Sequence, residues 1–176
     1  PFIVDVDPIN GVVSPETLEL AFKTSGAQAA IVLVPYGIMT DFHEHEEICQ
    51  RLGKLLVIDN AAGLGIDRVG RSFKGSGDVV REVYSLHATK PFGIGEGCAI
   101  FAPKQKSALL RSAMNFGIST HSGTGEQRKP YWGINGKMSE FHAAVGLAVA
   151  DTMATRVVSR QEMARRWVET LADSPV

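Results

Sequence analysis

Cysteine is scarce in this chain. Cys49 and Cys98 are the only two in 176 residues, too few for a disulfide scaffold or a four-cysteine zinc site. Both are expected to be small, reduced, buried side chains. An excess of one charge is also missing. Eighteen Lys and Arg stand against 19 Asp and Glu, a formal net charge of -1. That balance leaves no electrostatic footprint for nucleic acid or an anionic membrane. No apolar run is long enough to span a bilayer, and no signal-peptide pattern opens the chain. A cytoplasmic protein is the expectation.

Several familiar site patterns are missing too. Gly63-Leu64-Gly65 and Gly93-Ile94-Gly95-Glu96-Gly97 lack the strand, glycine turn and helix order of a dinucleotide fingerprint, and neither carries a Walker lysine-serine pair. In His43-Glu44-His45-Glu46-Glu47 the histidines are two apart rather than four, so they diverge on a helix. The expectation there is a solvated helix face and no metal. Asp67, Arg68 and Arg71 read as local ion pairs in a loop.

What remains is ordinary globular material, 44% hydrophobic and 21% charged, enough for one domain with a sizeable core. Phe2 to Val6 alternates as a strand does, and Asp7-Pro8-Ile9-Asn10-Gly11 is turn chemistry. Ser14-Pro15 reads as an N-cap and first helical position, with Gly26 ending the helix. Ala29 to Val34 and Leu55 to Asp59 are apolar runs typical of strands buried on both faces of a parallel sheet. A helix over 41–52 lies between them, with Gly53 as its cap. Further strands are expected over 79–85 and 97–101, a helix over 103–115, a long polar loop over 116–136, and helix over 138–171, in one piece or two. The alternation of strand and helix predicts parallel strands with right-handed crossovers. The start at Pro1 and the uncapped helical pattern before Val176 suggest a piece of something longer.

Two residues carry the chemistry of this pattern. Lys90 follows a buried strand by a few positions, and an amine in apolar surroundings is a candidate Schiff-base nucleophile. Asp59 ends another strand at the carboxyl edge, where open α/β sheets bind ligands. A carboxylate there needs a cationic partner, and a protonated pyridine nitrogen is one. Pyridoxal phosphate enzymes use such an Asp for the ring nitrogen and a Lys for the aldehyde. One ring could reach both.

At these residues the chain resembles the DegT/DnrJ/EryC1/StrS sugar aminotransferases, fold-type I pyridoxal phosphate enzymes. The likeness runs through Phe2 to Pro8, Val34-Pro35-Tyr36-Gly37, Val57 to Ala62, Gly75 to Asp78, Ser85-Leu86-His87-Ala88-Thr89-Lys90, Gly95 to Ala99, Asn115-Phe116-Gly117 and Gly133 to Glu140, in family order. It implies a three-layer α/β/α large domain with a mostly parallel sheet, truncated at both ends. The chain would be a single partial cofactor-binding domain over 1–176, without the upstream helix that receives the cofactor phosphate and without a small C-terminal domain.

By that resemblance Lys90 is the catalytic lysine, which joins the cofactor and later shuttles a proton. Asp59 pairs with the pyridine nitrogen, and Ala61 is the small residue beneath the ring. Ser85 is a phosphate ligand, His87 lies near the cofactor, and Asn135 is lent to the phosphate by the other subunit of a homodimer. The residues themselves leave open a strand-end hydroxyl for Ser85, a packed histidine for His87 and a turn residue for Asn135. The chain departs from the family at Ala62 (often Gln or His), Lys137 (usually Arg) and Glu96 (frequently Asp). The implied reaction moves an amino group from an amino acid, glutamate by expectation, to a keto nucleotide-sugar. A sugar-dehydrating branch replaces the lysine with histidine, which Lys90 argues against. The alternative from another class is a non-catalytic fragment or interaction domain that keeps the fold.

Overall fold

A computed structural model describes residues 1–38, 40–65, 79–118, 132–172 and 174. Helix α1 spans Pro15–Ser25, strand β1 Ala29–Leu33, helix α2 His43–Leu52 and strand β2 Leu55–Asp59. Strands β3 (Val80–Ser85) and β4 (Cys98–Phe101) follow, then helices α3 (Ser107–Ala113) and α4 (Glu140–Leu171).

Local chemistry explains most boundaries. The Ser14 hydroxyl accepts from the Thr17 amide, Pro15 opens α1, and Gly26 closes it in the left-handed region at φ 67°. Such a cap satisfies carbonyls that the helix end leaves open. Gly53 does the same for α2 at φ 63°. Asp7 Oδ1 accepts from the amides of Ile9 and Asn10, which makes the turn expected after residue 6. The pattern over 138–171 is one helix, capped by the Ser139 hydroxyl on the His142 amide.

The sheet order is β1-β2-β3-β4. β1, β2 and β3 run parallel, and β4 returns antiparallel to β3. The glycine cluster before β4 makes that reversal. Gly95 and Gly97 have φ of 107° and 151°, and no crossover helix intervenes. The register puts Val32, Ile58, Glu82 and Phe101 in one cross-strand row, and Leu33, Asp59, Val83 and Ile100 in the next. Side chains alternate across a strand, so these rows face opposite ways.

The first face is the core. Val32, Leu56, Ile58 and Val80 pack with Leu18 and Phe22 of α1, Cys49 of α2, and Val12, Val13 and Phe42. Each such side chain withdrawn from water contributes about 1.5–3 kcal/mol. A second cluster of Leu86, Ile94 and Val149, with Leu64 and Phe92, ties α4 to the loops beyond β2 and β3.

Four expectations need correcting. Phe2 to Val6 forms no strand, and Ile3 is 92% exposed; among the described residues it has no strand to pair with. β1 is not buried on both faces, because Ile31 and Leu33 lie on the open face. The His43–Glu47 run is only half solvated. His43 meets Glu47 at 3.1 Å in the open, but His45 and Glu46 are buried, with His45 Nε2 on the Val13 carbonyl at 2.8 Å. Cys49 is buried as expected, and burial with the nearby Glu46 charge pushes its thiol up to about 11; Cys98 is exposed. Asp67, Arg68, Arg71 and the Gly75 to Asp78 motif lie outside the described residues. Among the described residues no helix is long and apolar enough to cross a membrane.

Candidate active site

The carboxyl ends of β2 and β3 bring five of the six sequence-predicted residues into one hydrogen-bonded run. Asp59 is the last residue of β2 and Ser85 the last of β3. Both belong to the sheet face opposite the core. Asp59 Oδ1 accepts from the Ala61 amide at 3.2 Å, which curls the chain over the strand end. The Ala61 carbonyl then accepts from the Ser85 amide at 3.3 Å. Asp59, Ala61 and Ser85 thus form one continuous edge. The second Asp59 oxygen takes no partner among the described residues.

Beneath this edge, Asn60 Nδ2 donates to Glu82 Oε1 at 3.0 Å, both residues buried. Gly63 packs directly on the Asn60 side chain, where a Cβ would collide with it. The turn after β2 is therefore fixed from below as well as from its own backbone.

Ser85 Oγ accepts from the His87 amide at 3.2 Å. His87 Nδ1 accepts from the Thr89 amide at 3.3 Å and sits 2.9 Å from the Thr89 hydroxyl. A nitrogen that accepts an amide hydrogen carries none of its own, so neutral His87 bears its hydrogen on Nε2. That atom lies 3.7 Å from Glu96 Oε1. His87 is exposed, not a packed core histidine. Its carbonyl accepts from the Lys90 amide at 2.9 Å. Lys90 is half-buried, and its ammonium has no hydrogen bond or ion pair among the described residues.

The Lys90 loop is pinned at both ends. Leu86 donates to Gly97, Ala88 to Gly95, and Ile94 back to Leu86, each at 2.9 Å. Gly93 admits no side chain, because a Cβ would stand 2.5 Å from the Ala88 carbonyl oxygen.

Asn135 stands apart. It bridges to Asn115, and both accept from Lys137 Nζ, at 2.7 and 3.1 Å. No hydrogen bond joins Asn135 to Asp59, Ser85 or Lys90 among the described residues. It lines a cleft of about 880 Å³ that also takes in Glu96, Arg111, Lys137 and His142. Glu96 connects this cleft to His87.

Sequence reasoning overlooked Glu82, Asn60, Asn115 and Arg111 as site neighbours. For Glu82 a signal existed. Val80, Glu82 and Tyr84 alternate with Arg81 and Val83, so the period of two puts this carboxylate in line with core positions.

The donor set suits pyridoxal phosphate. A carboxylate oxygen and a half-buried amine without partners among the described residues, with a small residue two positions after the carboxylate and a hydroxyl, match a ring nitrogen, an aldehyde, a ring face and a phosphate. Among the described residues no group of His, Cys, Asp or Glu could hold a metal ion.

Comparison with known proteins agrees. The model of the DegT/DnrJ/EryC1/StrS aminotransferase family matches residues 1–176. The dTDP-4-amino-4,6-dideoxy-D-glucose transaminase of Shigella dysenteriae is 30% identical over 174 residues, 98% of this chain and 45% of its own length. Protein Rv3402c of Mycobacterium tuberculosis is 33% identical over 135 residues, 74% of this chain and 31% of its own. The solved structure of DesI with its TDP-sugar product superposes with a TM-score of 0.82 at 30% identity, covering 99% of this chain and 43% of that one. The chain thus spans less than half the length of these relatives. The fold is that of the large domain of fold-type I transferases, whose cofactor in this family is pyridoxal phosphate.

Proposed function

The chain belongs to the DegT/DnrJ/EryC1/StrS aminotransferase family, and on that premise we propose that it carries the cofactor-binding core of an enzyme that transfers an amino group, with glutamate as donor, to a keto nucleotide-sugar. Residues 1–176 are one partial large domain in this reading. The observation that carries it is the shared edge of Asp59, Ala61 and Ser85, linked through His87 to the backbone of Lys90, whose amine has no partner among the described residues.

Bound pyridoxal phosphate supplies an aldehyde that carries the amino group and a ring that accepts electrons. The residues do the rest. The Asp59 oxygen that has no partner among the described residues would hold a proton on the ring nitrogen by its negative charge. Ala61, with a single methyl, leaves space for a flat ring against the strand end. The Ser85 hydroxyl accepts from His87 and keeps its own hydrogen to donate to a phosphate oxygen. Lys90 Nζ would be the amine that holds the aldehyde, and would then take up and return a proton as general base and acid. Its backbone is fixed by the Lys90 amide donating to the His87 carbonyl, which would limit where Nζ can reach.

The reading includes a homodimer in which Asn135 serves the neighbour's phosphate. Support comes from the apolar residues around it. Trp132 is 85% exposed and Phe141 86%, with Ile134 and Met138 also uncovered. A light-scattering mass of two chains is expected; a mass of one at working concentration removes the shared site.

The primary test is spectroscopic. Pyridoxal phosphate added to the purified chain should give an absorbance band near ~420 nm that Lys90→Ala abolishes. A band that survives in the variant, or no band at saturating cofactor, rejects the proposal for this chain.

A further inference from the structure

The most developed polar cluster away from Lys90 surrounds Lys137. Its Nζ donates to Asn115 Oδ1 at 3.1 Å and Asn135 Oδ1 at 2.7 Å, and it lies 4.4 Å from the centroid of the Phe116 ring. The two asparagines are neighbours because Asn115 and Asn135 pair through their backbones, flanked by Phe116 donating to Ile134 and Gly136 to Met114. The cluster is thus built by two segments far apart in sequence, not by one loop folding on itself.

An ammonium only donates, so both amides must turn their oxygens to Lys137. That settles the orientation of each amide. Their NH2 groups point away from Lys137, and neither donates to a protein atom among the described residues. Both asparagines line the same cleft of about 880 Å³. Arg111 lines it too, as does Ser139, the cap of the long helix α4. Among the described residues, Glu96 is the one carboxylate on its wall. Its described residues therefore offer two cations, a helix amino end and paired amide donors against one negative charge, which suits an oxyanion.

We propose that Lys137 is a positioning residue for an oxyanion subsite, holding Asn115 and Asn135 by their carbonyl oxygens so that both amides present N–H donors to a phosphoryl group in the cleft. This extends the proposed reading of Asn135 and rests on it for the phosphate, while adding Asn115 as an equal donor and Lys137 as the residue that aims both. The phosphoryl group has two possible sources: the phosphate of a cofactor bound to a second copy, or the diphosphate of a nucleotide-sugar. A lysine suffices here because its three hydrogens can be split between two oxygens while Phe116 covers its other side.

The experiment follows the side-chain amide resonances of Asn115 and Asn135 in the full chain during titration with inorganic phosphate. Parallel titrations use pyridoxal phosphate and a nucleoside diphosphate, all in the Lys90→Ala background so that no covalent capture intervenes. Both amide pairs should shift together. Lys137→Met should weaken phosphate about tenfold, the loss expected for one charge-supported set of hydrogen bonds. Lys137→Arg, which can also donate to two oxygens, should restore affinity to within about threefold. Asn135→Asp keeps an acceptor for Lys137 but replaces the donor by a negative charge, and should abolish binding. Tighter binding of pyridoxal phosphate assigns the subsite to the cofactor, and tighter binding of the nucleoside diphosphate assigns it to the sugar substrate. Unchanged phosphate affinity in Lys137→Met, or a shift of one amide alone, overturns the proposal. If Asn135→Asp fails to weaken phosphate, the reading of Asn135 itself falls. The ~420 nm test on Lys90 reports on the cofactor site separately.

Discussion

Asn60 and Glu82 are joined by a buried hydrogen bond of 3.0 Å directly beneath the edge that carries Asp59 and Ser85. Asn60, just after Asp59, and Glu82 of β3 are thus a polar pair on a sheet face otherwise filled by Val32, Ile58 and Val80. Removing Asn60 takes one partner from a carboxylate that is 1% exposed. Asn60→Ala should lower unfolding stability by about 1.5–3 kcal/mol, the range for a hydrogen bond to a charged group. Urea denaturation reads this directly, and an unchanged midpoint would mean that Glu82 is held by its other contacts alone.

Asp59→Asn tests the electrostatic part of the mechanism rather than the covalent part. The substitution keeps size and the capacity to accept from the Ala61 amide, but removes the charge. The ~420 nm band should remain. The half-reaction with glutamate should slow by about 10²–10³-fold, the usual loss for one preorganised electrostatic group. Stopped-flow absorbance separates the two effects.

Surface charge gives a prediction for acid. Glu19 meets Lys23 and reaches Arg51 of α2 at 3.1 Å. These partners, Arg51 first and Lys23 second, hold its carboxyl down at about 2 from an ordinary 4.5. A carboxylate whose folded value is depressed stabilises the protein above the unfolded value and loses that contribution as pH falls toward the folded one. Stability should therefore fall between about pH 4.5 and 2, and Glu19→Gln should flatten that slope, lowering stability slightly at neutral pH, because the pair is solvent-screened, and leaving it unchanged near pH 2. Thermal melts across this window test it.

Gly133 crosses the backbone at 113–117 with no space for a side chain. A Cβ there would lie 2.6 Å from the Phe116 carbonyl carbon and 2.8 Å from the Ala113 oxygen. Gly133→Ala should force the crossing apart, cost about 1–3 kcal/mol, and weaken the Asn115–Asn135 pairing. Melting temperature and the amide resonances of both asparagines would report the two effects together.

Much of this architecture is legible in the residues because it is decided locally. Ser14, Pro15, Gly26 and Gly53 each act within a turn of themselves. Asp59 and Ser85 were found as strand ends, which depends only on where an apolar run stops. The failures share a cause. Alternation over Phe2 to Val6 describes what a segment can pair with, but a strand needs a neighbour. His45 and Glu46 look like surface residues until the Val13 carbonyl arrives from 32 positions away. The grouping of Lys137 with Asn115 bridges 22 positions, and nothing in either segment alone announces it. Glu96 was noticed as a departure from a family pattern, yet its approach to His87 depends on the antiparallel return of β4.

That return has a consequence for the lysine. Because β4 folds back along β3, the segment from Leu86 to Gly97 is a closed ring, fastened across its base by backbone hydrogen bonds. Tying the ends of a flexible loop costs entropy, and here that cost falls when the sheet forms. Little is left to be lost when a ligand arrives. In the proposed reading the chain would meet its cofactor with the backbone around Lys90 already ordered, so interaction energy could go into affinity instead of into taming a floppy loop.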